Sequence, residues 1–171
     1  MELDGMILVG VGSNVAAAGF NTPLETIWAA LSIFPDYGIN IDGYSAWYET
    51  APVPSSSQPW FVNGVLQVGT DHEPDITLQM LHKIEARFGR QRVKRNEART
   101  LDLDLLDFNG LVTKYGNTVI LPHPRIGERA FVLLPLRDVC PTWISPSTGC
   151  GIKDLIAQLP REQLIRKIPS S

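Results

Sequence analysis

The feature that most restricts the fold is the order in which two kinds of apolar periodicity follow one another. Met6–Gly12 (MILVGVG) is a short run rich in Ile and Val that closes on glycine, the pattern of a buried strand. Gly12-Ser13-Asn14 is a turn. Asn21-Thr22-Pro23 then opens a helix: Thr22 suits the N-cap, Pro23 the first helical position and Glu25 the third, as in a capping box. Leu24, Ile27, Trp28 and Leu31 continue at helical spacing and fade near Pro35. Gly38–Thr50 alternates and is aromatic, which predicts a second strand. Ala51–Pro59 holds three prolines and three serines and reads as a loop too long for a simple hairpin turn. Trp60–Thr70 is a third strand. Pro74 begins a second helix, with Ile76, Leu78, Met80, Leu81 and Ile84 as its apolar set and an end near Gly89. Thr100–Phe108 (TLDLDLLDF) alternates again and predicts a fourth strand.

The resulting order, β-α-β-β-α-β, predicts an α+β fold with a ferredoxin-like core: a mainly antiparallel sheet with helices on one face. Beyond it, Asn109-Gly110 signals a C-terminal hairpin returning through Val119–Leu121. Arg129–Val139, despite Pro135, and Gly151–Leu159 read as short helices. With 171 residues, 44% apolar and 19% charged, the chain is expected to form a single domain over 1–171, with its core at about 6–159.

Several function classes drop out. No apolar run approaches the ~18 residues of a membrane span. Met1–Gly5 carries Glu2 and Asp4 without a basic residue, so no export signal is expected. Cys140 and Cys150 read as unrelated residues in a reducing cytosol, with a C-terminal disulfide as the alternative; the expected location is cytoplasmic. His72, His82 and His123 are too scattered for a zinc site. Val15 stands where a dinucleotide fingerprint begun by Gly10-Val11-Gly12 needs its third glycine, and no Gly-Lys-Ser/Thr element exists, so neither a Rossmann nor a P-loop site is expected.

Charge is informative locally. Segment 87–99 (RFGRQRVKRNEAR) carries +5, leaving −8 on the rest of a chain whose total is −3. An acidic protein with one concentrated basic loop suits a small polyanion held at one place. Directly after that loop stand Asp102 and Asp104. On a strand, residues i and i+2 share a face about 7 Å apart, while Leu101, Leu103 and Leu105 point the other way into the core. Two adjacent carboxylates repel unless an oxygen-seeking cation such as Mg²⁺ lies between them; the plainer alternative is an ordinary polar strand face. Carboxylates for a metal beside cations for phosphate are what phosphoryl transfer requires.

The second dense region is Leu121–Leu136 (LPHPRIGERAFVLLPL), where His123, Arg125 and Arg129 are polar candidates. Phe61 and Phe131 read first as core aromatics. Asn63 sits in an apolar stretch, where a buried amide must be hydrogen-bonded; it could read the edge of a heterocycle or satisfy its own strand.

The run Ala98-Arg99-Thr100-Leu101-Asp102-Leu103-Asp104-Leu105-Leu106 closely resembles the motif of the 6-hydroxymethyl-7,8-dihydropterin pyrophosphokinase family of folate synthesis. Gly12-Ser13-Asn14, Tyr48-Glu49-Thr50-Ala51-Pro52, Gln58-Pro59-Trp60-Phe61-Val62-Asn63, Leu121-Pro122-His123-Pro124-Arg125 and Arg129-Ala130-Phe131 fit in the same order. The resemblance runs from about Ile7 to Leu159. It implies transfer of pyrophosphate from ATP to the pterin hydroxymethyl group, with release of AMP. It implies two Mg²⁺ ions on Asp102 and Asp104, and phosphate binding by Arg90, Arg92, Arg99, His123 and Arg129. It also implies stacking of the pterin between Phe61 and Phe131, with Asn63 and the backbone near Thr50 and Pro52 completing that pocket. Asn96, Ala98 and Phe61 stand where many members carry Trp, Pro and Tyr. The expected partners are ATP and the pterin, with no nucleic acid or membrane, and the expected state is a monomer. The rival is an RNA-binding sheet with 87–99 as its basic arm; binding without Mg²⁺ would favour it.

Overall fold

The computed structural model describes residues 5–52, 57–89, 99–113, 116 and 118–170. The elements are β1 (Ile7–Ser13), α1 (Pro23–Ile33), β2 (Ile39–Tyr44), β3 (Tyr48–Thr50), β4 (Phe61–Thr70), α2 (Pro74–Arg87), β5 (Asp102–Phe108), α3 (Ala130–Val139), α4 (Ile152–Ala157) and β6 (Ile165–Lys167). Short 3₁₀ turns cover Phe34–Tyr37 and Ile126–Glu128. The sheet runs β5-β1-β4-β3-β6, with β2 also paired to β4, and every pairing is antiparallel.

Local chemistry accounts for the start of α1. Thr22 Oγ1 accepts from the Glu25 N–H at 3.1 Å, and Glu25 Oε2 reaches back to the Asn21 N–H at 2.8 Å. The Glu25 N–H is a donor that a helix start leaves unpaired, and the bond to Asn21 fixes the chain just before the cap. In β1 the alternation separates two layers. Ile7, Val9 and Val11 pack with Ile27, Leu31, Leu81, Ile84, Leu103 and Leu105 beneath α1 and α2. Leu8 faces the opposite side, with Val65, Leu106, Val132, Leu133, Leu136 and Trp143. The two crossover helices thus share one face, and α3 and α4 cover the other. Helices therefore lie on both faces of the complete sheet, where the core pattern alone predicted one. Each fully buried aliphatic side chain contributes roughly 1.5–3 kcal/mol.

Three details differ from the sequence expectation. The second strand is split: Tyr44 faces Leu66 and Tyr48 faces Asn63, so the edge chain carries one residue more than β4 over that span. Ser45 bridges the gap, its N–H donating to the Val65 carbonyl and its Oγ accepting from the Val65 N–H, both at 2.9 Å. The predicted return strand at 119–121 is not formed. Asn109 and Gly110 do make the tight turn, with φ of 55° and 72°. After it, however, the chain meets β5 through the His123 N–H, which donates to the Leu106 carbonyl at 2.8 Å. Finally, β6 lies beyond residue 159 and pairs with β3, placing Ile165 opposite Thr50 and Lys167 opposite Tyr48.

Candidate active site

The site lies on the sheet face shared with α3, where β1 ends and β4 and β5 begin. The register places Asn63 and Asp102 on either side of Gly12, and Asp104 beside Gly10. The two glycines leave the floor of the sheet open between side chains that carry chemistry. At Gly12 a Cβ would stand 2.7 Å from Asn63 Oδ1, so a side chain there requires that amide to move. The opening is part of a cavity of about 610 Å³, with Thr50, Pro52, Phe61 and Asn63 on one side and Arg99, Asp102 and Asp104 on another. Arg129 and Phe131, at the start of α3, also line it.

Asn63 is buried, and its Nδ2 donates to Thr50 Oγ1 at 2.6 Å. The amide therefore reaches across to the neighbouring strand β3 rather than serving only its own strand. Phe61 and Phe131 are half-buried and belong to the cavity wall. Asp102 and Asp104 are half-buried, whereas Leu103 and Leu105 are buried in the opposite layer, which is the division that the alternation predicts.

Arg99 Nη1 donates to Asp102 Oδ2 at 2.7 Å, with side-chain exposures of 32% and 19%. The pair is part-buried at the cavity wall, so both the guanidinium and the carboxylate are within reach of a phosphate or a cation entering it. The Arg99 backbone is held independently. Its N–H donates to Asn14 Oδ1 at 2.7 Å, and its carbonyl accepts from the Asn14 N–H at 3.0 Å. Asn14 Nδ2 reaches Gln58 Oε1 at 3.1 Å and the Pro59 carbonyl at 3.2 Å. One buried amide thus ties the end of β1 to the approaches of β4 and β5. Sequence reasoning treated Asn14 only as a turn residue; its position directly after a buried strand was the available signal.

Arg129 lies with its guanidinium 5.2 Å from the Phe131 ring centroid, within reach of a cation–π contact. Burial, then the neighbouring Arg125, pull its pKa down, while Asp104 and Asp102 oppose that shift. His123 does not itself line the cavity but stands beside it. Burial first, then Arg129 and Arg125, push its pKa below the ordinary value, against a smaller opposing pull from Asp102. Its Nδ1 accepts from the Arg125 N–H at 3.2 Å, which leaves the ring proton on Nε2. Arg125 and Glu128, both exposed, form an ion pair at 3.6 Å on the rim. Arg90 and Arg92 lie outside the described residues. Gln58, Gln158, Leu159, Pro160 and Gln163 also line the cavity. No role was assigned to them from sequence, because the C-terminal four lie about 55 residues or more from the Asp pair along the chain and no local pattern joins them to it.

As a donor set, Asp102 and Asp104 suit a hard cation. Mg²⁺ binds through one or two carboxylates and keeps its remaining positions for substrate phosphates and water. Among the described residues no group of three or more His, Cys, Asp and Glu side chains converges on one point.

Comparison with known proteins bears on the same residues. The family model for 7,8-dihydro-6-hydroxymethylpterin-pyrophosphokinase (HPPK) matches residues 8–141. A 2-amino-4-hydroxy-6-hydroxymethyldihydropteridine pyrophosphokinase of Synechocystis is 34% identical over 152 residues, covering 89% of this chain and 75% of the relative. The protein of that name from Haemophilus influenzae is 31% identical over 168 residues, covering 94% and 97%. A crystal structure of Plasmodium falciparum HPPK-DHPS superposes with a TM-score of 0.68 over 90% of this chain. This chain spans 44% of that structure at 14% identity, so the likeness speaks for the fold alone. The family match begins in β1 and ends just past α3, so it takes in all three strands that carry the Asn63–Gly12–Asp102 row, and the chain belongs to the 7,8-dihydro-6-hydroxymethylpterin-pyrophosphokinase family.

Proposed function

We propose that this chain transfers the pyrophosphate of ATP to the hydroxymethyl group of 6-hydroxymethyl-7,8-dihydropterin, releasing AMP, as a step of folate synthesis. The observation that carries the reading is the meeting of two chemistries in one cavity. A carboxylate pair with Arg99 and Arg129 faces a compartment lined by Phe61, Phe131 and the Asn63 amide. The first set suits a polyphosphate, and the second suits a flat heterocycle with a polar edge.

In this reading Phe61 and Phe131 stack the pterin, Asn63 pairs with its edge, and Thr50 and Pro52 close the pocket beside them. The hydroxyl oxygen attacks the β-phosphorus in line, forming the new O–P bond as the bond to the α-phosphate oxygen breaks and AMP departs, while the hydroxyl proton is released to solvent water. Arg99 and Arg129 donate to phosphate oxygens, where charge-assisted hydrogen bonds strengthen as charge shifts toward the leaving group. His123, neutral with its proton on Nε2, offers one further donor to ATP. Arg90 and Arg92 add phosphate contacts in the same scheme, supported by the family motif and by the concentration of charge in 87–99. Asp102 and Asp104 would hold two Mg²⁺ ions, which when bound neutralise the phosphates and polarise the transferred group. With a cation bound, Asp102 would serve as its ligand and Arg99 would be free to donate to phosphate.

The free thiols Cys140 and Cys150 suit the cytoplasm; among the described residues, no helix is long and apolar enough to cross a membrane. The decisive experiment is incubation with ATP, Mg²⁺ and 6-hydroxymethyl-7,8-dihydropterin, with nucleotide products separated chromatographically. AMP is expected in proportion to pterin diphosphate. Formation of ADP would replace this reading with that of a simple kinase.

A further inference from the structure

The segment that follows α4 has no part in the scheme above, yet it delivers Gln163 to the cavity wall. Gln163 Oε1 accepts from the Ala130 N–H at 2.7 Å, and its Nε2 donates to the Glu128 carbonyl at 2.9 Å. These two groups belong to different peptide planes. The Glu128 carbonyl lies in the plane preceding Arg129, and the Ala130 N–H in the plane following it. The relative rotation of those planes is what φ and ψ of Arg129 describe. One side-chain amide therefore grips both, at a residue whose φ of −117° and ψ of 117° are extended rather than helical.

Nothing else at that helix start does this work among the described contacts. Arg129 is the N-cap of α3 and makes no side-chain capping bond, so the first N–H groups need partners from elsewhere. The Arg129 carbonyl does accept from the N–H groups of Val132 and Leu133, at 3.1 and 2.9 Å. Those bonds hold the helical side of the residue and leave the preceding plane to Gln163. With both planes held, the direction of the Arg129 Cα–Cβ bond is set, and the guanidinium comes to rest over Phe131.

Gln163 is itself anchored at a distance. On one side, Leu159 packs into the layer beneath α3 and α4. On the other, the Leu164 carbonyl accepts from the Ala51 N–H at 3.1 Å, and β6 pairs with β3. Arg166 adds an ion pair to Glu49 and stacks 5.1 Å from the Trp60 ring centroid. The segment thus links β3, which carries Thr50, to the start of α3.

We propose that Gln163 is a positioning residue: its amide sets the backbone of Arg129 so that the guanidinium, stacked on Phe131, is already aimed at the phosphates. This rests on the assignment of Arg129 to ATP made above. A double-mutant cycle tests it. Gln163→Leu keeps the approximate volume and removes both bonds. At saturating substrates kcat is expected to fall about tenfold, the size of one or two neutral hydrogen bonds. In an Arg129→Ala background the same substitution should change kcat by less than about twofold, because the group through which it acts is gone. Equal losses in both backgrounds would overturn the proposal. Gln163→Glu keeps the acceptor for Ala130 and loses the donor to Glu128, so an intermediate kcat is expected; wild-type kcat in both single variants would also overturn it. A readout without turnover is the Nε–Hε NMR signal of Arg129, assigned by its loss in Arg129→Lys. That signal should shift or broaden in Gln163→Leu, and an unchanged signal refutes the positioning role. A wild-type protein that releases no AMP would instead sink the proposed reaction and leave this signal to decide on Gln163.

Discussion

Adding one methyl group at Gly12 should disable the amide end of the cavity while leaving its charges in place. The new Cβ would lie 2.7 Å from Asn63 Oδ1, whereas carbon–oxygen contacts settle at about 3.3–3.6 Å. Asn63 must therefore give way by roughly half an ångström or more. It has little room to do so: the side chain is buried, and Thr50 Oγ1 holds its Nδ2 at 2.6 Å. Either the amide rotates and loses that bond, at about 1 kcal/mol, or β1 and β4 move apart, at about 1–3 kcal/mol for an overpacked site. For a chain of this size that predicts a melting temperature lower by about 2–12 °C, at roughly 2–4 °C per kcal/mol. If Asn63 reads the pterin edge, Gly12→Ala should also weaken pterin binding about tenfold to hundredfold, since an unpaired buried group costs ~1–3 kcal/mol. Binding of a non-hydrolysable ATP analogue should stay within about twofold of wild type, because Arg99 pairs with Asp102 and Arg129 lies over Phe131, away from the new methyl group. Calorimetric titration with each ligand, beside a thermal melt, measures all three quantities. An Asn63→Ala background supplies the control: with the obstruction removed, Gly12→Ala should cost little stability. An equal penalty in both backgrounds, or normal pterin affinity in the single variant, would refute the reasoning.

Asp104→Ala should abolish turnover and the Mg²⁺ dependence of ATP binding while the thermal melt stays close to wild type, because this carboxylate faces the cavity and not the core; near-normal activity at saturating Mg²⁺ would contradict it. Arg99→Ala should lower kcat on the order of 10²–10³-fold with a much smaller effect on pterin affinity; steady-state kinetics and pterin calorimetry would reverse the assignment if pterin binding collapsed and kcat held. His123 has a folded pKa below its ordinary value, so the native state binds fewer protons than the unfolded one. Its contribution to stability is present above about pH 6.5 and is lost as pH falls through the lower folded value. Urea midpoints between pH 7.5 and about 5 should therefore decline less in His123→Asn than in wild type, and parallel declines would remove this explanation.

Some of this molecule was determined by neighbouring residues alone. Thr22, Pro23 and Glu25 specify the start of α1 because a cap forms within four residues. The alternation of Leu103 and Leu105 with Asp102 and Asp104 specifies which face of β5 is buried, because a strand has a period of two and water separates leucine from aspartate. The family motif, read in order, points to Thr50, Pro52, Phe61, Asn63, Arg99, Asp102, Asp104, Arg129 and Phe131, which line one cavity, and to His123, which stands beside it, with Arg90 and Arg92 outside the described residues. Other features depend on chain segments that meet only after folding. The break between β2 and β3 arises where Ser45 substitutes its hydroxyl for a backbone acceptor opposite Val65, a choice that alternation cannot reveal. The return strand after Asn109-Gly110 fails although its turn forms, because a turn fixes direction and not a ladder of partners. The three residues of β6 are too few to show a period, and their partner β3 lies more than a hundred residues earlier. Asn14 and Gln163 illustrate the same limit. Their type announces only a polar side chain, and what each does is decided by the backbone groups that distant strands and a helix end leave within about 3 Å of it.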